Sequence, residues 1–172
     1  MRWMWIDQIV EVERGQRLVA IKNVSLAEDV VHDHFPTQPA PNGEQLDALP
    51  VMPASLLIEG MAQTAGILVG HANDFAEKVI LAKINKARFT CDVFPGQTVR
   101  FEARIDRMDE SGASATGQVS AYDHARQQYH DVGTVELMFS HIDQNMTGLE
   151  FPEENFVFTD NFKTLLRAAE LI

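Results

Sequence analysis

The chain has one cysteine, Cys91, so no intramolecular disulfide framework can brace it and no cysteine-based metal cluster can be assembled. It is also short of positive charge: 14 Lys and Arg face 25 Asp and Glu, a net charge of -11. Such a balance argues against a nucleic-acid partner, because phosphate binding needs clustered cations that displace counterions. Long apolar runs are missing too. A membrane span needs about 20 apolar residues, and the best stretch, Ser55 to Gly70, is interrupted by Glu59. The Gly66/Gly70 spacing is that of a membrane dimer motif, but without the length to go with it. The N-terminal apolar patch in MRWMWIDQIVEVERG gives way to acids too soon for a signal peptide. These absences predict a cytoplasmic protein in a reducing compartment, with no metal.

At 172 residues and 45% apolar composition the chain suits one domain with a sizeable core. Residues 5 to 24 alternate loosely around Gly15, which predicts an opening strand pair. Residues 35 to 53 carry five prolines and Gly43, too many breakers for a long element, so this is read as a loop with one helical turn around Glu44 to Leu49. A long helix is then expected from Pro53 to about Ala72, since proline's fixed φ suits a first-turn position. Strand-like runs follow at Lys78–Phe89, Gln97–Met108, Ala113–Tyr122 and Gln128–Ser140, joined by hairpin-length links. Consecutive strands without intervening helices imply an antiparallel sheet, and hence an α+β fold with one long helix on a curved sheet. Residues 1–142 form this domain. Residues 143–172 read as an extension packing on it, with Asp160 capping a short helix that carries Phe162, Leu165, Leu166 and Leu171 on one face.

Glu59 is the only formally charged residue between Ser55 and Gly70. An unpartnered carboxylate in a buried helix is costly, so such a group usually pairs, neutralises or does chemistry. Ser55, Glu59 and Gln63 recur at intervals of four, a polar stripe on an apolar rod. The pattern alone leaves open an ion pair with an Arg or with a neighbouring subunit. Upstream, His34 in the run His32-Asp33-His34-Phe35-Pro36 supplies an imidazole that can join the acid in one site. His32, Asp33 and His34 lack further ligands at metal-binding spacing. His71, His124, His130 and His141 read as surface or hairpin residues.

Five motifs, taken in order, carry a resemblance. His34-Phe35-Pro36, Val51-Met52-Pro53, Ile58-Glu59-Gly60-Met61-Ala62-Gln63, Ala87-Arg88-Phe89 and Phe94-Pro95-Gly96-Gln97 resemble those of the beta-hydroxyacyl-acyl carrier protein dehydratases of bacterial fatty acid synthesis. The resemblance covers about residues 5 to 140. It implies a hotdog fold, a curved antiparallel sheet wrapped around a long central helix, and a homodimer or a trimer of dimers. The implied reaction converts a (3R)-hydroxyacyl thioester on acyl carrier protein to the trans-2-enoyl thioester, with no cofactor. His34 would take the C2 proton and Glu59 would protonate or orient the leaving hydroxyl, the two groups coming from opposite subunits. Imidazole titrates near operating pH, which suits the first role; a carboxyl stripped of water holds its proton, which suits the second. The backbone N–H of Ala54 would polarise the thioester carbonyl from the positive end of the helix. Phe35 and Gln63 would belong to the substrate-binding site.

The chain departs from the family pattern in places. Asp33 and Thr37 flank the His-Phe-Pro motif where the family has Gly, and Asp33, if turned inward, would act on His34. Ala54 stands where most relatives have Gly. Residues 40–50 read as an insertion that reshapes the tunnel mouth or the carrier-docking rim. Between Lys83 and Arg107, six basic residues face three acids, and Lys83, Lys86, Arg88, Arg100 and Arg104 are the expected landing patch for an acidic carrier protein. Two other functions fit the same fold: a hotdog acyl thioesterase, and a non-catalytic acyl- or carrier-binding subunit.

Overall fold

The structure is a computed structural model, and it describes residues 3–142, 157–158 and 160–172. Two strands open the chain, β1 (Gln8–Glu13) and β2 (Arg17–Asn23), turning at Gly15 with φ +68°. A single helical turn, α1 (Asp29–His32), leads to a small hairpin of β3 (Gln38–Pro39) and β4 (Gln45–Leu46). The long helix α2 (Ala54–Ala72) follows, then β5 (Val79–Phe89), β6 (Thr98–Asp109), β7 (Gly112–Asp123) and β8 (Gln128–His141). A last helix, α3 (Asp160–Ala168), closes the described chain.

The six long strands form one antiparallel sheet in the order β1-β2-β6-β7-β8-β5. Period-two alternation turns one face inward: Val99, Phe101 and Ala103 on β6, Ala113, Ala115, Val119 and Ala121 on β7, and Val135, Leu137 and Phe139 on β8 are all buried. Helix α2 lies across that face and touches β2, β5, β6, β7 and β8. Its neighbours require two small residues. A Cβ on Gly60 would fall 2.5 Å from the Phe101 ring, and one on Gly117 would meet Met61. The sheet curls round the helix, which is the hotdog arrangement.

The start of α2 is fixed by what precedes it. Val51, Met52 and Pro53 are buried, Met52 N–H donates to the Val93 carbonyl at 2.8 Å, and Pro53 serves as N-cap rather than as first helical residue. Segment 40–50 holds no helical turn; most of it is the β3–β4 hairpin with its turn at Gly43, φ +86°. The hairpin folds back on the His-Phe-Pro segment, where Leu49 N–H donates to the Phe35 carbonyl at 2.9 Å. His141, expected at the surface, is fully buried, with Nδ1 2.8 Å from a Glu77 carboxylate oxygen. Among the described residues no helix is long and apolar enough to cross a membrane.

Candidate active site

Ser55, Glu59 and Gln63 line one side of α2, but they do not share one environment. Ser55 stands beside His34 in a cavity of about 400 Å³ that also takes in Asp29, Asp33 and Pro53. Glu59 and Gln63 line a second cavity of about 270 Å³, walled by Gly66, Ile67, β5 and Phe139. His34 is in the first and not in the second, so one chain holds the expected acid and the expected base apart.

The His34 cavity is built on the α2 N-terminus. The amide groups of Ala54 and Ser55 precede the first intrahelical bonds, donated by Leu56 and Leu57 to the Pro53 carbonyl, and neither donates to any described residue. Such orphan donors, reinforced by the helix dipole, suit an anionic or polarised oxygen. His34 is exposed, and its ring stacks at a tilt on Phe35 with centroids 4.4 Å apart. Asp33 does not serve His34: its carboxylate lies 2.6 Å from His32 Nδ1.

Glu59 is half-buried, not sealed in the core as its helix pattern predicts. It is nevertheless closely held. Gln63 Nε2 donates to Glu59 Oε1 at 2.9 Å and Trp3 Nε1 donates to the same oxygen at 3.0 Å. Gln63 is in turn fixed by Trp5 N–H, which donates to its Oε1 at 2.9 Å, and by the Trp3 carbonyl at 3.3 Å from its Nε2. Both donors converge on one carboxylate oxygen, and Oε2 receives no hydrogen bond from a described residue. Trp3 escapes sequence reasoning because its partner is 56 residues away; the cue is that both tryptophans of the chain lie in its first five residues.

The basic segment is divided by the sheet. Arg100 and Arg104 project from β6 on the face opposite Phe101 and bind Glu102, with N–O distances of 2.8 and 2.7 Å. Arg17 on β2 joins them at 3.1 Å from Glu102 and 2.6 Å from Glu11. Burial works to raise the Glu102 pKa, but hydrogen bonds from Arg17, Arg100 and Arg104 together hold it down to about 2. Lys83, Lys86 and Arg88 belong to β5, with β7 and β8 between them and β6. At about 4.8 Å per strand that is a separation of roughly 14 Å. The two groups do not make one patch within a chain.

Residues 2–126 match the FabA-like domain. The chain belongs to this family. It is 35% identical over 138 residues to the 3-hydroxyacyl-[acyl-carrier-protein] dehydratase FabZ of Caldanaerobacter subterraneus subsp. tengcongensis, covering 80% of this chain and 86% of that one. The FabZ of Solibacter usitatus is 40% identical over 117 residues, 67% of this chain and 65% of the relative. Among solved structures, the dehydratase heterocomplex ApeI:P from Xenorhabdus doucetiae aligns with TM-score 0.57 at 19% identity, over 80% of this chain and 82% of that one. The PaaI protein of E. coli aligns with TM-score 0.57 at 12% identity, over 80% and 79%. At these identities the structural likenesses establish the hotdog fold; the family rests on the sequence matches.

Proposed function

We propose that this FabA-like chain dehydrates a (3R)-hydroxyacyl group carried on acyl carrier protein to the trans-2-enoyl thioester, as a step of fatty acid synthesis. The observation that carries the mechanism is the division into two half-sites on α2. One offers His34 beside the free Ala54 amide, and the other offers Glu59 with one oxygen held and one free. In a dimer, His34 of one chain faces Glu59 of its partner across the bound thioester.

The carbonyl oxygen accepts from the Ala54 N–H, which stabilises the enolate charge as His34 takes the C2 proton. Phe35, tilted on the imidazole, limits its swing. The electron pair left at C2 forms the C2–C3 double bond as the C3–O bond breaks. Glu59 gives its proton through Oε2, so the hydroxyl leaves as water and the carboxylate that remains keeps its two hydrogen bonds at Oε1. Proton transfer from the His34 imidazolium back to Glu59 by way of solvent resets the site.

Strand β5 supports the dimer. It is an outer strand eleven residues long, paired among the described residues only to β8, with Leu81 and Ile84 exposed at 38% and 43%. A free edge of that length with apolar side chains calls for a partner strand. Val79, Ile80 and Leu81 also wall the Glu59 cavity, so a second chain arriving there would reach the site. Lys83, Lys86 and Arg88 on β5 are the cations we assign to the acidic carrier, since Glu102 holds Arg100 and Arg104 at 2.8 and 2.7 Å whereas Lys86 lies a looser 3.8 Å from Glu136. A lone, exposed Cys91 supports a reducing, cytoplasmic setting.

The test is incubation of wild type, His34→Ala and Glu59→Gln with a 3-hydroxyacyl carrier substrate, following the conjugated enoyl thioester. Formation by wild type and loss in both variants is the expected result. Undiminished turnover in either variant overturns the assignment. Release of free thiol would make the chain a thioesterase, and binding without turnover would make it a non-catalytic acyl-binding subunit.

A further inference from the structure

Val157, Phe158 and Phe162 stand in the wall of the Glu59 cavity. All three lie beyond the segment that matches the FabA-like domain, which ends at residue 126. The described residues around them are packed on the domain. On α3, Leu165 and Leu166 are buried at 8% and 1% exposure, and Phe158 is buried in an edge-on contact with Phe75 at 4.9 Å between centroids. Helix α2 is cut to receive this ring: a Cβ on Gly70 would lie 2.6 Å from Phe158 Cζ and 2.9 Å from Phe75.

Glu59, Gly66 and Gly70 fall on one line along α2, because offsets of seven and eleven are each close to a whole number of turns at about 3.6 residues per turn. Gly66 opens a groove along that line, and the Phe158 ring fills it at Gly70. The groove is polar at one end, at Glu59 and Gln63, and apolar beyond it, where Ile67, Leu81 and Phe139 form the sides. At about 1.5 Å per residue, Glu59 and Gly70 are roughly 16 Å apart.

We propose that Phe158 and Phe162 form the closed end of the acyl cavity and restrict the enzyme to medium-length chains. The reacting carbons sit at Glu59, so the chain beyond them runs down the groove toward the Phe158 ring. Carbon–ring contact at about 4 Å leaves roughly 12 Å of that run. With bonds of about 1.5 Å in zigzag, each advances the chain by about 1.3 Å, which allows about nine bonds past C3. The limit is an acyl group of about twelve carbons.

The inference takes its substrate class from the dehydration reading, and its test separates the two. Saturated acyl-pantetheine thioesters from butyryl to palmitoyl are titrated calorimetrically into wild type, Phe158→Ala, Phe162→Ala and Phe158→Trp. Wild type should bind more tightly up to lauroyl and lose affinity beyond it. Either alanine variant should gain about tenfold for palmitoyl relative to octanoyl, and Phe158→Trp should lose about tenfold for lauroyl while keeping octanoyl. Opposite shifts from smaller and larger side chains cannot come from destabilisation, and Phe162, only half-buried, tolerates truncation if Phe158 does not. The same chain-length profile in every variant, or binding of none of the thioesters by wild type, would overturn the proposal. Graded binding without dehydration of the hydroxyacyl carrier substrate would overturn the catalytic reading and leave the end wall in place.

Discussion

Trp3 holds Glu59: the indole N–H meets Oε1 at 3.0 Å, on the oxygen that Gln63 also grips. The N-terminal segment thus helps to hold Oε1 and leaves Oε2 without a donor among the described residues. Trp3→Phe removes one donor and keeps the ring, so kcat should fall about tenfold with KM nearly unchanged, as for a charge-assisted hydrogen bond that steadies the departing proton's carboxylate. Gln63→Ala should cost more, because it also frees the Trp5 backbone. Steady-state kinetics on a short hydroxyacyl thioester decide it; a rise in KM alone would mean that Trp3 only binds substrate.

Divided half-sites make subunit complementation a direct measurement. His34→Ala and Glu59→Gln should each lose at least about a hundredfold of activity, the usual scale for a general acid or base. Co-expressed, half of the dimers carry both variants, and each of these has one intact site, so the mixture should recover about a quarter of wild-type activity. No recovery would place both groups in a site within one chain.

The Glu102 cluster predicts an acid-labile seam between β1, β2 and β6. A carboxyl held at about pKa 2 in the folded chain and at the ordinary 4.5 when unfolded stabilises the fold at pH above 4.5. That contribution is lost as pH falls from 4.5 through 2. Glu102→Gln should therefore lower the urea midpoint at pH 7 and leave it much less changed near pH 2. An equal loss at both ends would assign the effect to packing.

Carrier docking separates the two basic groups. Charge reversal at Lys86 or Arg88 should raise KM for the carrier-bound substrate and leave small thioester mimics unaffected. Reversal at Arg104 should act on stability through Glu102 and leave KM alone. Equal KM effects from both strands would join them into one docking surface.

Gly60 tests the helix–sheet fit. Gly60→Ala brings a methyl to 2.5 Å from the fully buried Phe101 ring and 3.0 Å from the Trp5 carbonyl. Overpacking of this kind costs about 1–3 kcal/mol, a fall in Tm that thermal melts would register.

Local signals were enough for most of the fold. Pro53 marks the start of α2 within one residue, and the four later strands fall within about two residues of the alternation that predicts them. Two features were too short to leave a period: α1 has four residues, and β3 and β4 have two each in a proline-rich stretch. The site was harder to read because its contacts are not local. Trp3 meets Glu59, Arg17 meets Glu102 and His141 meets Glu77 across long separations in sequence. The basic run from Lys83 to Arg107 is continuous along the chain, but sheet order carries its halves apart. Asp33 lies next to both His32 and His34 in sequence, and only geometry gives it to the first.

The outer strands of the sheet are unlike one another. β5 has apolar Leu81 and Ile84 exposed, whereas β1 has a bulge between Ile9 and Glu11 and carries Glu11 and Glu13. A second β1 laid against the first would meet an irregular backbone whose Glu11 and Glu13 are already held by Arg17. Joining two chains through β5 would use up the receptive edge and leave an irregular one at either end, so assembly by strand addition would stop after a single round rather than grow into a fibre.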